Sequence, residues 1–198
     1  LAEQLPGTLR PGGRTARTRA AVFQAVVGEL IDSGYAGLTV ERVAARAGIA
    51  KTTIYRRWGG LTGLLADLMA ERAARDIPVP DEGSFDDDLR ALARALVTML
   101  EHPAIRAAMA SIVAAAVQDP AARQILARFI AARTALMAVI VDRAVRRGEL
   151  PASPGAAEVI QTVTAQIYYR VFIAGEQPGQ AIADRAAATA AAAARAAP

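Results

Sequence analysis

The 198-residue sequence contains no cysteine and a single histidine, His102. The first absence excludes disulfides, thiolate metal sites and cysteine nucleophiles; the second leaves no histidine pair for zinc. Aromatic residues supply only 5% of the chain while alanine is abundant, which favours closely packed helices over a β-sandwich. Lysine is almost missing: Lys51 is one of 23 basic residues, a bias that a GC-rich genome would produce without any selection for phosphate binding. No run reaches the roughly 18 uncharged apolar residues that span a bilayer. Ala107–Val117 is too short, and the Ala-rich end is broken by Arg185 and Arg195. Leu1–Gly13 carries no basic-then-apolar secretion signal. A Gly-rich phosphate loop, a nucleophile motif and a metal-ligand spacing are all lacking. The expectation is a cytoplasmic protein that is not an enzyme, with no cofactor, no metal and no membrane partner.

What is present suffices for a core: 54% hydrophobic and 21% charged residues. The charge is unevenly placed. Residues 1–75 hold eleven Lys and Arg against six Asp and Glu, and the remainder hold twelve against thirteen. A small basic half joined to a neutral apolar half suggests a polyanion-binding module attached to something else.

Leu1–Gly13, with Pro6-Gly7 and Pro11-Gly12-Gly13, reads as a mobile arm, followed by Arg10, Arg14, Arg17 and Arg19 with no acid among them. Phe23, Val26, Val27, Leu30 and Ile31 form the stripe of a first amphipathic helix, closed by Ser33-Gly34. Thr39 caps a short second helix, Gly48 breaks it, and a third runs from about Lys51 to Trp58. After Gly59-Gly60, a fourth extends from Leu61 to about Arg75. Ile77–Ser84 is a linker marked by Pro78, Pro80 and Gly83. Leu89–Leu100 predicts a fifth helix, His102-Pro103 opens a sixth, and Asp119-Pro120 starts a long seventh that runs to Arg147-Gly148. Ser153-Pro154 repeats the start signal for an eighth, and Gln177-Pro178-Gly179 separates a last Ala-rich segment. The expected fold is all-α with about nine helices.

Thr39–Trp58 carries the chemistry. Ala44, Gly48 and Ile54 have the Ala-x3-Gly-x5-Ile spacing that lets two short helices cross steeply over a tight turn. The second of these helices then shows Lys51, Thr52, Thr53, Tyr55, Arg56 and Arg57 outside, with Ile54 and Trp58 inside. Exposed donors and a positive helix N-terminus suit a major groove and its phosphates. The spacing alone is a weak signal, and a plain basic surface on a helical hairpin would read the same way.

The stretch Leu38–Ile49 followed by Lys51–Trp58 resembles the N-terminal domain of TetR-family transcriptional regulators, from about Arg17 to Leu65. Arg147-Gly148-Glu149-Leu150 and Ile167-Tyr168-Tyr169-Arg170 resemble, more loosely, the C-terminal half of one branch. The resemblance implies a homodimer of nine- or ten-helix chains on a near-palindromic double-stranded operator, controlled by a small-molecule effector. It implies a helix-turn-helix DNA-binding domain at residues 14–60 and a ligand-binding and dimerisation domain at 61–198, with 61–75 as the connecting helix. Thr39 and Tyr55 match phosphate-contacting positions, and Lys51, Thr52 and Thr53 match the base-reading face; Arg56, Arg57, Arg14 and Arg17 complete the expected DNA contacts. Two positions depart from the pattern. Ala50 stands where a capping serine is usual, and Leu61 where a lysine usually meets phosphate. Leu61 reads either as a lost phosphate contact or as part of the buried stripe with Leu64, Leu65 and Leu68.

Elsewhere the residues leave alternatives open. Asp86-Asp87-Asp88 could be a metal cluster, but consecutive helical residues diverge, and a place in the first turn of a helix explains them through the dipole. His102 is a pocket ligand, a pH sensor or a helix-end histidine. Met99, His102, Met109, Phe129, Met137, Tyr168 and Phe172 are candidates to line an effector pocket, since Met and aromatics suit adaptable apolar cavities. Val163, Ile167 and Val171 are candidates for a dimer interface. The competing reading of the whole is an architectural or constitutive DNA binder without ligand control, which would have no cavity.

Overall fold

The computed structural model describes residues 13–75, 77–151 and 155–196. The arm expected at 1–13 and the start signal at Ser153-Pro154 lie almost wholly outside these. Among the described residues ten α-helices follow one another: α1 (Arg14–Ser33), α2 (Val40–Ala47), α3 (Lys51–Trp58), α4 (Leu61–Arg75), α5 (Phe85–Glu101), α6 (Pro103–Gln118), α7 (Pro120–Met137), α8 (Val139–Arg146), α9 (Ala156–Tyr168) and α10 (Gln180–Ala196). Among the described residues there is no strand.

Local chemistry sets most of the boundaries. Ser84 caps α5 by accepting from the Asp87 amide, and Asp119 caps α7 by accepting from Ala121, with Pro120 at the first helical position. His102 precedes a proline and is pushed to extended backbone, so α5 and α6 meet at 96°. One boundary had no signal. The long seventh helix expected up to Arg147 breaks at Ala138 into α7 and α8, with no proline or glycine to announce it. Taken together, Pro120–Arg146 is long and apolar enough to cross a membrane by length and composition, yet α7 packs against α4, α6 and α9. At its C-terminal end α9 continues into a π-helical turn, Tyr169–Ile173.

Two cores result. The first gathers Val22, Val26 and Leu30 of α1, Val43 and Ala44 of α2, Ile54 of α3, and Leu64, Leu65, Leu68 and Met69 of α4, and takes in Ile112 and Ile125 from α6 and α7. The buried side of α4, grouped by sequence with the second domain, therefore belongs to the first core. The second core is built on α5, α8, α9 and α10, with seven buried residues of α10, six of them alanine, against α5 and α9. Alanine carries no rotamer entropy and lets helix axes approach closely.

Val163 and Ile167 are fully buried in this second core and Val171 nearly so, at 7% exposure. The three residues expected at a dimer interface thus lie within the chain's own second core. The outward face of the same segment presents Tyr169 and Ile173 instead, 62% and 72% exposed.

A helix-turn-helix head over an apolar cavity

At the turn between α2 and α3, Gly48 adopts φ +66° and ψ 35°, a left-handed conformation open to glycine without strain. Its amide donates to the carbonyls of Ala44 and Ala45, and that of Ile49 also reaches Ala44, closing α2 in a Schellman-type stop. Ala44 is buried at the crossing and Ile54 is fully buried beneath α3. Thr39 caps α2 by accepting from Arg42 at 3.2 Å, and remains exposed. Ala50 begins α3 without a side-chain cap, so no side chain answers the amides of its first turn, and that of Thr53 turns back to the Ala50 carbonyl at 2.9 Å.

Charge pairs orient this head. Glu29 of α1 is only 6% exposed and accepts from Arg42 at 2.6 Å and Arg46 at 2.9 Å, both on α2. Those hydrogen bonds hold its carboxyl below the usual range against the opposing effect of burial. At the other end of the head, Asp67 of α4 accepts two bonds from Arg19, at 2.9 and 3.1 Å, and one from the Trp58 indole at 2.8 Å. Arg19 first, then Trp58, keep Asp67 ionised to lower pH than a free carboxylate. The last residue of α3 is thus tied to α4 and α1 together. Gly63 completes the joint, since a Cβ there would collide with the Trp58 carbonyl.

The predicted DNA contacts divide into groups. Lys51, Thr52, Tyr55, Arg56 and Arg57 are exposed on one side of α3, and Thr53 is half-buried beside them. Lys51 lies 3.8 Å from Glu41 in a solvated pair. Arg57 donates to the Thr15 carbonyl at 3.3 Å and lies over the Trp58 ring, so it braces α3 against α1 as well as carrying charge. Arg17 is exposed on α1, whereas the side chain of Arg14 lies outside the described residues. Leu61 is half-buried against the first core, between its two sequence readings.

Between the two cores lies a cavity of about 400 Å³. Met99, His102, Met109, Phe129, Met137 and Tyr168 line it; Phe172 does not, but packs against Tyr168 with the rings tilted at 40° and their centroids 5.8 Å apart. His102 occupies the α5–α6 elbow and the cavity wall at once. Sequence reasoning missed the wall contributed by the head itself: Gln24, Val27, Leu30 and Ile31 of α1, with Leu68, Met69 and Arg72 of α4. A helical stripe at one period cannot show which neighbour it faces, and no other signal marked these residues.

A second link joins the cavity wall to the head. On α6, Ser111 accepts from the Tyr35 amide at 2.6 Å, and Asp119 accepts from the Tyr35 hydroxyl at 2.7 Å. Burial, aided by Asp119, pushes the Tyr35 phenol up to about 12.

The three aspartates at the start of α5 go separate ways. Asp86 pairs with Arg195, Asp87 with Ser84 and Arg90, and buried Asp88 accepts from the Glu82 amide and faces Arg143 and Arg147. Among the described residues no group of His, Asp or Glu is arranged to hold a metal ion.

Comparison with known proteins agrees along nearly the whole chain. Residues 24–68 match the family described as bacterial regulatory proteins, tetR family, and residues 79–190 match the tetracyclin repressor-like C-terminal domain. The HTH-type transcriptional regulator YdeS of Bacillus subtilis (strain 168) is 26% identical over 81% of this chain and 81% of its own length. AqdR of Rhodococcus erythropolis, also an HTH-type transcriptional regulator, is 27% identical over 80% and 76%. The crystal structure of the TetR family transcription regulator SCO0332 superposes with a TM-score of 0.71 at 26% identity, covering 89% of this chain and 97% of that one. The chain belongs to the TetR family, DNA-binding helix-turn-helix transcriptional regulators rather than enzymes.

Proposed function

We propose that this protein is a ligand-controlled repressor, acting in the cytoplasm as a homodimer on a near-palindromic operator and released by a small apolar effector. The observation that carries this reading is the position of the cavity. Its wall is shared by α1 and α4 of the DNA-binding head and by α5, α6, α7 and α9 of the rest of the chain. A ligand there touches the head directly, and any difference in its affinity between two head positions shifts DNA binding by that amount. An architectural DNA binder has no use for such a cavity. Residues 14–60 are the DNA-binding unit in this reading, α4 is the connecting helix whose buried side completes the core of that head, and the remainder senses and dimerises.

Two reading helices about 34–36 Å apart meet successive major grooves. The self-association face we assign is the outward side of the C-terminal helices: Tyr169 and Ile173 beyond α9, with Ala188 and Ala192 exposed on α10. On α3, Tyr55 meets phosphate and Lys51 and Thr52 read bases. Gel-shift titrations on DNA upstream of the gene test the head. Tyr55→Phe should weaken specific and random DNA alike, whereas Lys51→Ala or Thr52→Ala should compress the ratio by about 1–3 kcal/mol. If neither Lys51 nor Thr52 matters on any DNA, α3 does not read the groove. Sedimentation of Tyr169→Glu and Ile173→Glu tests the face, and a dimer that persists in both sinks it.

A further inference from the structure

The polar groups in the cavity wall are unequally engaged. Arg72 and Arg133 both have interactions within the protein, and Arg133 donates to the Ile77 carbonyl at 3.1 Å. The Thr164 hydroxyl turns back on its own helix, 3.2 Å from the carbonyls of Ile160 and Gln161. Gln24 and His102 are exposed, so water reaches them. Tyr168 differs from all of these. Its side chain lines the cavity, Phe172 packs against its ring, and its hydroxyl has no hydrogen-bond partner among the described residues. Burial pushes the phenol up, so the O–H keeps its proton and remains a donor. An O–H donor held in an apolar space without an acceptor carries a desolvation cost, and an incoming acceptor removes it. Most of the remaining wall is aliphatic and methionine.

We propose that the cavity takes an uncharged ligand with an apolar body and a carbonyl oxygen, the oxygen accepting from the Tyr168 hydroxyl and the body lying along Leu96, Met99 and Ile112. This rests on the reading of the cavity as the effector site and names its chemistry. A ketone or ester fits because its carbonyl accepts and brings no donor of its own, so neither side of the contact is left unpaired. A pure hydrocarbon would fill the same space and leave the phenol unanswered. A carboxylate would carry a full charge into surroundings where burial already opposes ionisation of the phenol, beside guanidinium groups engaged elsewhere. A cation would find no aspartate or glutamate in the described wall.

The test is equilibrium dialysis of the full chain with three probes built on one ring system: 2-acetylnaphthalene, 2-ethylnaphthalene and 2-naphthoate. The ketone should bind about fivefold more tightly than the hydrocarbon, the margin expected of one neutral hydrogen bond, and the carboxylate should bind weakest. Tyr168→Phe keeps the ring and its packing on Phe172 and removes only the donor. It should bring the ketone down to the affinity of the hydrocarbon while leaving the hydrocarbon unchanged, and an unchanged melting temperature shows that the fold survives. Equal binding of ketone and hydrocarbon to the unaltered chain would overturn the proposal, as would tightest binding by 2-naphthoate, a ketone preference that persists in Tyr168→Phe, or no binding by any probe. A ketone that binds as expected yet leaves operator affinity unchanged would sustain the ligand class and sink the ligand-control reading instead.

Discussion

The DNA-binding head and the C-terminal bundle solve the same packing problem with different materials. The head joins helices as short as eight residues, too short to be stable alone, through a core of large side chains, to which α3 contributes Ile54, and through charge. Ile54 sinks under α3, Glu29 ties α2 to α1, and Asp67 ties the end of α3 to α4. The C-terminal bundle uses longer helices and joins α10 to α5 and α9 chiefly through buried alanine, with ion pairs such as Arg94–Asp184 left at the rim. The lesson is about tolerance. A head held by a few directional contacts should lose function at single residues, whereas a seam of alanines should resist truncation and yield to bulk.

The largest effect expected from this contrast is Ile54→Ala, which empties a fully buried site under the reading helix. It should cost about 2–5 kcal/mol in the head and abolish operator binding. Chemical denaturation of the variant should therefore show the head melting before the C-terminal bundle; a single transition at the wild-type midpoint would refute the anchor. Next comes Ala190→Leu in the α10 seam, where added bulk should cost about 1–3 kcal/mol with DNA contacts intact. Unchanged melting would mean that the seam is loose. Asp67→Asn should cost about 1 kcal/mol of stability while lowering operator affinity more than melting temperature suggests, because the Trp58 indole and Arg19 lose a shared charged acceptor. Equal loss in a variant that spares Trp58 would argue against that orienting role.

The smallest expected effect concerns Tyr35. Its folded pKa lies near 12, above the ordinary value of 10.0, so the phenol is neutral in both states at lower pH. As pH rises from about 10 to 12 the unfolded chain releases that proton while the folded chain still holds it, and stability falls across that window. Tyr35→Phe should be slightly less stable near neutral pH and should flatten the alkaline slope of melting temperature. An unaltered slope would show that burial and Asp119 do not hold the proton on this phenol in solution.

Local chemistry made the fold and the head legible in the sequence. Gly48, Thr39, Ser33-Gly34, Pro103 and Asp119-Pro120 act on their own backbone within a few residues, so helix ends can be read without knowing the tertiary structure. Ile54 inside and Tyr55 outside follow from helical period once the turn is placed. Neighbour choice was not legible. The stripe of Val163, Ile167 and Val171 is equally consistent with a partner subunit and with the chain's own second core, and helical period cannot choose between them. The α1 wall of the cavity was hidden for the same reason. The break at Ala138 and the π turn at Tyr169–Ile173 have no proline or glycine at them and are set by packing.

The pairing of α5 with α10 also orders events during synthesis. Arg195 meets Asp86 across a sequence separation of 109 residues, and Arg94 meets Asp184 across 90. The second core therefore cannot close until α10 has left the ribosome. The first core needs nothing beyond Phe129, so it can condense while the later helices are still being made. During that interval the side of α5 that packs on α10 is uncovered, so the nascent C-terminal half, and not the DNA-binding head, is the part that exposes unpaired apolar surface.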